Sequence, residues 1–184
     1  THELILQVVK TGTVSSGRVQ GGHIGTWGIE GDTTDSTLRF FLNGFDVQAM
    51  TPTCDFQNGP ISVPLGAHSV SLFTGIGSTP TPWQTFALNA TGCTNASQIK
   101  MTFAGTAAAG NPEAFAVTGG ASGIGVQVQS YDNYKAIPNS ATAMTWLARS
   151  GTYAYTFKAR YIQTAPTVGA GLANATMVVN LDYQ

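Results

Sequence analysis

Charge is what this sequence most conspicuously lacks. Only 9% of its 184 residues are Asp, Glu, Lys or Arg, against roughly a quarter in an ordinary soluble domain. The net charge of −1 leaves no electrostatic footprint for nucleic acid or for an anionic membrane. Long hydrophobic runs are absent as well. None approaches the ~18 residues of a membrane-spanning helix, and no charged-then-apolar leader opens the chain. For an exported protein the sequence therefore reads as a mature form or a piece of one. Cysteine is scarce: Cys54 and Cys93 stand alone, at a spacing that fits no zinc or redox pattern. In so weakly charged a chain, one disulfide in an oxidising compartment is favoured over two free buried thiols. His2, His23 and His68 are scattered, without carboxylates placed to complete a metal site. There is no Gly-x-Ser-x-Gly and no ordered Ser, His and Asp set, so hydrolytic chemistry has no candidate. Most acidic residues (Asp32, Asp35, Asp55, Glu113, Asp132) read as turn chemistry and solvation. The Asn-x-Ser/Thr triplets at Asn89, Asn95 and Asn174 would matter only in a eukaryotic secretory route.

What the chain does have is apolar content of 42%, 22 glycines and a recurring period of two. Helical periodicity is nearly missing, whereas alternating runs typical of half-buried strands recur along the whole length. They include Phe45, Val47 and Ala49; Ile61, Val63 and Leu65; Ile99, Met101 and Phe103; and Ile124, Val126 and Val128. Later come Tyr153, Tyr155, Phe157, Ala159 and Tyr161, then Met177, Val179, Leu181 and Tyr183. Clusters such as "GSTPTP", "GTAAAGNPE" and "TAPTVGAGLAN" separate the runs. Short strands with frequent turns point to an all-β fold, an antiparallel β-sandwich.

One string argues for something else. "TGGASGIG" looks like a dinucleotide loop, and Tyr131 with Lys135 in "YDNYK" looks like the proton-transfer pair of a short-chain dehydrogenase. Such a loop works by seating a pyrophosphate on the N-terminus of a following helix. Here the glycines run into "IGVQVQSYD", which alternates as a strand. The Tyr–Lys pair follows too closely to be a separate element, and too little chain remains for a doubly wound parallel sheet. The glycines are better explained by a turn where backbones approach closely. No enzyme activity and no cofactor is expected.

The end of the chain carries the sharpest signal. Met177, Val179, Leu181 and Tyr183 fall on one face of a terminal strand, which is exposed at a sheet edge unless something pairs with it. An ordinary closing strand inside a sheet is one explanation. The other is a strand built to receive a partner from another chain, by β-augmentation. The stretch "TFKARYIQTAPTVGAGLANATMVVNLDYQ" resembles the end of pilus subunits of the bacterial chaperone–usher pathway: Phe157, Ala159, Arg160 and Tyr161, then Gly171 fourteenth from the end, then the alternating strand with penultimate Tyr183. "GIGVQVQSYDNYKAI" is similar to that family's central strand and turn, and Cys54 and Cys93, with "ISVPLG" after the first, match its disulfide.

The resemblance covers residues 51 to 184. It implies an immunoglobulin-like sandwich (the pilin fold) that lacks its last strand and is completed by donor-strand complementation. It also implies the partners. A periplasmic chaperone would recognise Gly171, Met177, Val179, Leu181 and Tyr183 and hold the carboxylate of Gln184. An outer-membrane usher would then exchange the chaperone for the N-terminal strand of a neighbouring subunit, on the way to the surface fimbrium.

Residues 1–50 depart from the pattern of a shaft subunit, because Cys54 lies deep in the chain. "ELILQVV", "RVQGGHIGTWGIE" and "TLRFFLNGFDV" read as strands of their own. They resemble the C-terminal strands of a receptor-binding domain joined through the linker "AMTPTC" to a pilin domain, as in a two-domain tip adhesin for a host glycan or protein receptor. Two alternatives stand. In the first, a minor or shaft pilin uses Leu4, Leu6 and Val8 as a long donor segment, although Ile5 and Val9 spoil the alternation. In the second, a free-standing secreted carbohydrate-binding sandwich uses Trp27, Trp83 or Trp146, each of which is also explained as core packing.

Overall fold

The structure, a computed structural model, describes residues 7–9, 11–12, 14–28, 37–56 and 59–184. The chain divides into two compact units, Thr1–Thr51 and Pro52–Gln184. The first holds two antiparallel ladders. Strand β1 (Gly17–Val19) pairs with β4 (Phe45–Val47), and β2 (Gly22–Gly28) pairs with β3 (Thr37–Leu42). None of its described residues is buried, and Trp27, Leu38 and Phe41 are more than half exposed. Two-stranded ladders without a buried face are marginal by themselves. Of the expected donor segment, Leu4, Ile5 and Leu6 lie outside the described residues; Val8 and Val9 are exposed, outside any strand. Asp32, Asp35 and His2 also lie outside them.

The second unit is the sandwich. Its larger sheet contains β5 (Thr53–Phe56), β6 (Gln84–Thr94), β8 (Ala107–Ala108), β9 (Asn111–Ala116), β10 (Ile124–Ser130) and β12 (Tyr153–Gln163), in the order β5-β6-β12-β10-β9-β8. The smaller sheet contains β7 (Gln98–Ala104), β11 (Met144–Leu147) and β13 (Val178–Tyr183), in the order β11-β7-β13. The pleat explains the layers. In β7 the alternate residues Ile99, Met101 and Phe103 are almost fully buried, as period-two placement on one face requires. In β12 the inward set is Tyr155, Phe157, Ala159 and Tyr161. Phe157, fully buried, is the hub: Phe86 stacks on it at 5.7 Å, while Phe103 and Trp146 meet it edge-on at 5.6 and 5.7 Å. Such offset and edge contacts are the preferred geometries of aromatic pairs.

The glycine loop resolves as a turn. Gly119, Gly120 and Gly123 have φ of 107°, 107° and 73°, where a Cβ would be strained. A Cβ on Gly171 would also collide with the backbone of Gly120 and Ala121. The strand after the loop is β10, as its alternation indicates. Lys135 is ion-paired with Glu113, while Tyr131 stands exposed in the turn after β10. That is no proton-transfer pair.

Four expectations are corrected. Ile61, Val63 and Leu65 alternate but form no ladder. Asp55 lies in β5 and Glu113 in β9 rather than in turns. Thr53 and Cys54 of the expected linker belong to β5. Ala49 falls beyond the end of β4.

Cys54 and Cys93 are joined, 39 residues apart in sequence, and tie β5 to the far end of β6. On the chain-entropy model a loop of that length contributes about 4 kcal/mol. Reduction should therefore lower the urea midpoint by an amount equivalent to a few kcal/mol. An unchanged midpoint, or two free thiols found by mass spectrometry in exported protein, would contradict this.

Candidate functional site

The terminal strand β13 pairs with β7 on one side only, from Val178 opposite Ala104 to Tyr183 opposite Ile99. Its other edge carries no strand among the described residues. Beside that edge lies an open groove of about 760 Å³. The floor is the inner face of the larger sheet: Phe86 and Leu88 from β6, Phe115 from β9, Val126 and Val128 from β10, Ala159 and Tyr161 from β12. One wall is formed by 173–177 with Val179 and Leu181. The other is 59–65, the run whose alternation suggested a strand. Among the described residues, the only hydrogen bond to its main chain is one that the Leu65 carbonyl accepts from His68 Nε2–H, at 2.8 Å. Pro60 and Pro64 have no N–H to offer a ladder.

Tyr161 braces both walls. Its ring meets His68 edge-on at 6.1 Å, and its hydroxyl donates to the Ala173 carbonyl at 3.1 Å. Burial pushes the Tyr161 hydroxyl pKa up, as expected for a phenol kept neutral against an apolar floor. At the end of β13, Tyr183 and Tyr155 stack on Phe56 at 6.4 and 6.1 Å. Burial, and then the nearby Asp55 charge, raise the Tyr183 pKa.

Met177, Val179, Leu181 and Tyr183 are thus brought together on one half-buried face, packed against the core. The main chain of Gln184 extends the ladder: its main-chain oxygen accepts from Ser97 N–H at 2.6 Å and Gln98 N–H at 2.8 Å. Gly171 is not part of the groove lining and instead closes against the loop at Gly120. Sequence reasoning missed the floor and the part played by 59–65. The period of Ile61, Val63 and Leu65 is a signal: it predicts a half-buried strand, and the structure makes the run a groove wall instead. Among the tryptophans, Trp27 is 53% exposed in β2. Arg160 and Lys158 lie over the Trp83 ring at 4.0 and 5.1 Å, and Trp146 packs in the core edge. Among the described residues no group of His, Cys, Asp and Glu could hold a metal.

The raised Tyr155, Tyr161 and Tyr183 pKa values set a pH dependence. Their stabilisation is complete below the unfolded tyrosine value of about 10 and is lost as pH rises through the folded values. The urea midpoint should fall above about pH 10, and Tyr183→Phe should reduce that fall. Equal alkaline losses in both proteins would refute the assignment.

Comparison with known proteins bears on the groove. The family model described as Fimbrial protein matches residues 44–184. The S-fimbrial adhesin protein SfaS of Escherichia coli is 30% identical over 68% of this chain and 75% of its own length. The S-fimbrial protein subunit SfaG of the same species is 33% identical over 76% of this chain and 79% of its own. The crystal structure of the P pilus rod subunit PapA superposes with a TM-score of 0.62 at 17% identity, over 71% of this chain and 99% of that one. It shows the same immunoglobulin-like sandwich.

Proposed function

The chain belongs to the fimbrial protein family, and from that premise we propose that it is a surface-fimbria subunit whose sandwich is completed by a strand from another chain. The relatives above are fimbrial subunits and an adhesin rather than enzymes, and no chemical step is invoked. The observation that carries the reading is the unladdered edge of β13 beside an open apolar floor. A strand laid along that edge would gain main-chain hydrogen bonds, and its alternate side chains would cover the half-buried Phe86 and Leu88. Each apolar side chain buried in this way is worth roughly 1.5–3 kcal/mol, so folding and assembly are coupled. In the periplasm the strand comes from a chaperone, which reads Met177, Val179, Leu181 and Tyr183. An outer-membrane usher then exchanges it for the N-terminal strand of the neighbouring subunit. Gly171 contributes by fixing the loop from which 173–177 enters the groove wall.

We place the subunit at the fimbrial tip, where it would meet a host glycan or protein receptor. Support comes from the adhesin relative and from the family match beginning at residue 44, which leaves β1, β2 and β3 in front of it. The similarity to SfaG, a fimbrial subunit, favours a second reading as a minor or shaft pilin.

Periplasmic co-expression with the cognate chaperone tests the mechanism. A stoichiometric complex is expected, and it should be lost when the last eight residues are removed. The double variant Leu181→Ser, Tyr183→Ser should accumulate to less than about a tenth of the wild-type level; normal accumulation would sink the proposal. Immunogold labelling of an epitope-tagged chain separates the two positions. Label confined to fibre ends supports the tip, whereas label along the shaft assigns it to the rod.

A further inference from the structure

The groove wall 59–65 has no ladder of its own, so its position depends on what holds the segment that carries it. Among the described residues, the hydrogen bonds that join 59–82 to the rest of the sandwich all end on Tyr161 and Gln163 of β12. Tyr161 N–H donates to Thr81 Oγ1 at 3.1 Å. Gln163 takes the remainder. Its main-chain N–H donates to the Ser78 carbonyl, and its own carbonyl accepts from Gly77 N–H, both at 2.9 Å. Its side-chain Oε1 accepts from Gly75 N–H at 2.9 Å and from the Ser78 hydroxyl at 3.1 Å.

Gln163 is 2% exposed, and its amide is fully used. A primary amide offers an oxygen with two lone pairs and two N–H donors. Beside the two bonds at Oε1, Nε2 donates to the Ala165 carbonyl at 2.7 Å and to the Pro166 carbonyl at 3.4 Å. These partners fix the amide's orientation. Turned over, its NH2 would face Gly75 N–H and its oxygen would face two carbonyls. The turn that it receives is prepared as well. Ser78 N–H donates to the Gly75 carbonyl at 2.9 Å, and Gly77 has φ of 86°, a conformation that favours glycine. Gln163 itself lines no part of the groove.

Resting on the strand-addition reading above, we propose that Gln163 is a positioning residue for it, holding 59–82 so that 59–65 stands as a groove wall. The front of the segment is held by packing alone: Leu65 and Phe73 lie against the core, and His68 against Tyr161. Apolar packing is non-directional, whereas the bonds at the Gln163 amide fix both a place and a direction. An apolar residue at 163 would leave Gly75 N–H and the Ala165 carbonyl without their partner at a buried strand end, which is costly. The segment then loosens. A donated strand no longer meets a ready-made wall, and the wall must be ordered at the moment of binding. The floor and β13 keep ladders of their own.

The test compares the periplasmic chaperone complexes of the wild type and of Gln163→Met, which keeps the length of the side chain and removes the amide. Each complex is chased with an excess of differently tagged cognate chaperone, and its amide hydrogen exchange is read by mass spectrometry. The half-life of the Gln163→Met complex should shorten about tenfold, the equivalent of roughly one net hydrogen bond. Exchange should quicken within 59–82 and stay unchanged in β7 and β10. Ser78→Ala, which removes one partner of Oε1, should shorten the half-life less, in the same direction, and it decides the matter if Gln163→Met does not accumulate. An unchanged half-life, or exchange quickened equally throughout the sandwich, overturns the positioning role. Failure of the wild type to form any complex would instead overturn strand addition itself, and the role with it.

Discussion

The structure turns on an unpaired edge. β13 has a ladder with β7 on one side and an open groove on the other, over a floor in which Phe86 and Leu88 are only half-buried. A strand edge presents a row of unsatisfied N–H and C=O groups, and a half-covered apolar face adds a hydrophobic cost. Natural proteins blunt such edges with charge, proline or a covering element. Here Pro60 and Pro64 stand only in the opposite wall, while the face of β13 carries Met177, Val179, Leu181 and Tyr183. A monomer would bear that cost permanently; a subunit that receives a strand converts it into a force for assembly.

The rest of the sandwich holds the groove in shape. The floor belongs to a six-stranded sheet with an aromatic hub at Phe157. The disulfide anchors β5, and Phe56 on that strand reaches Tyr183 and Tyr155 at the end of the groove. Tyr161 sets the opposite end, bracing 59–65 through His68 and 173–177 through Ala173. A largely buried floor and pinned ends leave the edge of β13 as the part that the proposed strand addition would complete. This is what preorganised recognition by strand addition requires.

The two edges of the smaller sheet are chemically distinct. The groove beside β13 is largely aliphatic and long, suited to the alternating side chains of a strand. A second cleft, beside β11, is short, and Asp132 and Thr156 border it beside Tyr131, Trp146 and Tyr153. Tyr155 packs between groove and cleft, stacked on Phe56 of the groove and lining the cleft.

Much of this was legible in the sequence, because side-chain period is a local property. Alternation in Ile99 to Phe103, Ile124 to Val128 and Tyr153 to Tyr161 determined which residues are strands and which face is buried. The Val-rich run after Gly125 ruled out a dinucleotide loop, and the face of Met177 to Tyr183 marked the terminal strand. Pairing is not local, and only the tertiary structure decided it. Ile61, Val63 and Leu65 have the same period as true strands, yet they form one wall of the groove because no strand among the described residues pairs with them. Asp132 and Trp146 are separated along the chain and read as a turn residue and a core filler. They share a cleft because β11 and β12 belong to different sheets that meet there. Period records which side of a strand faces the core, and carries no information about which neighbour, if any, stands at its edge.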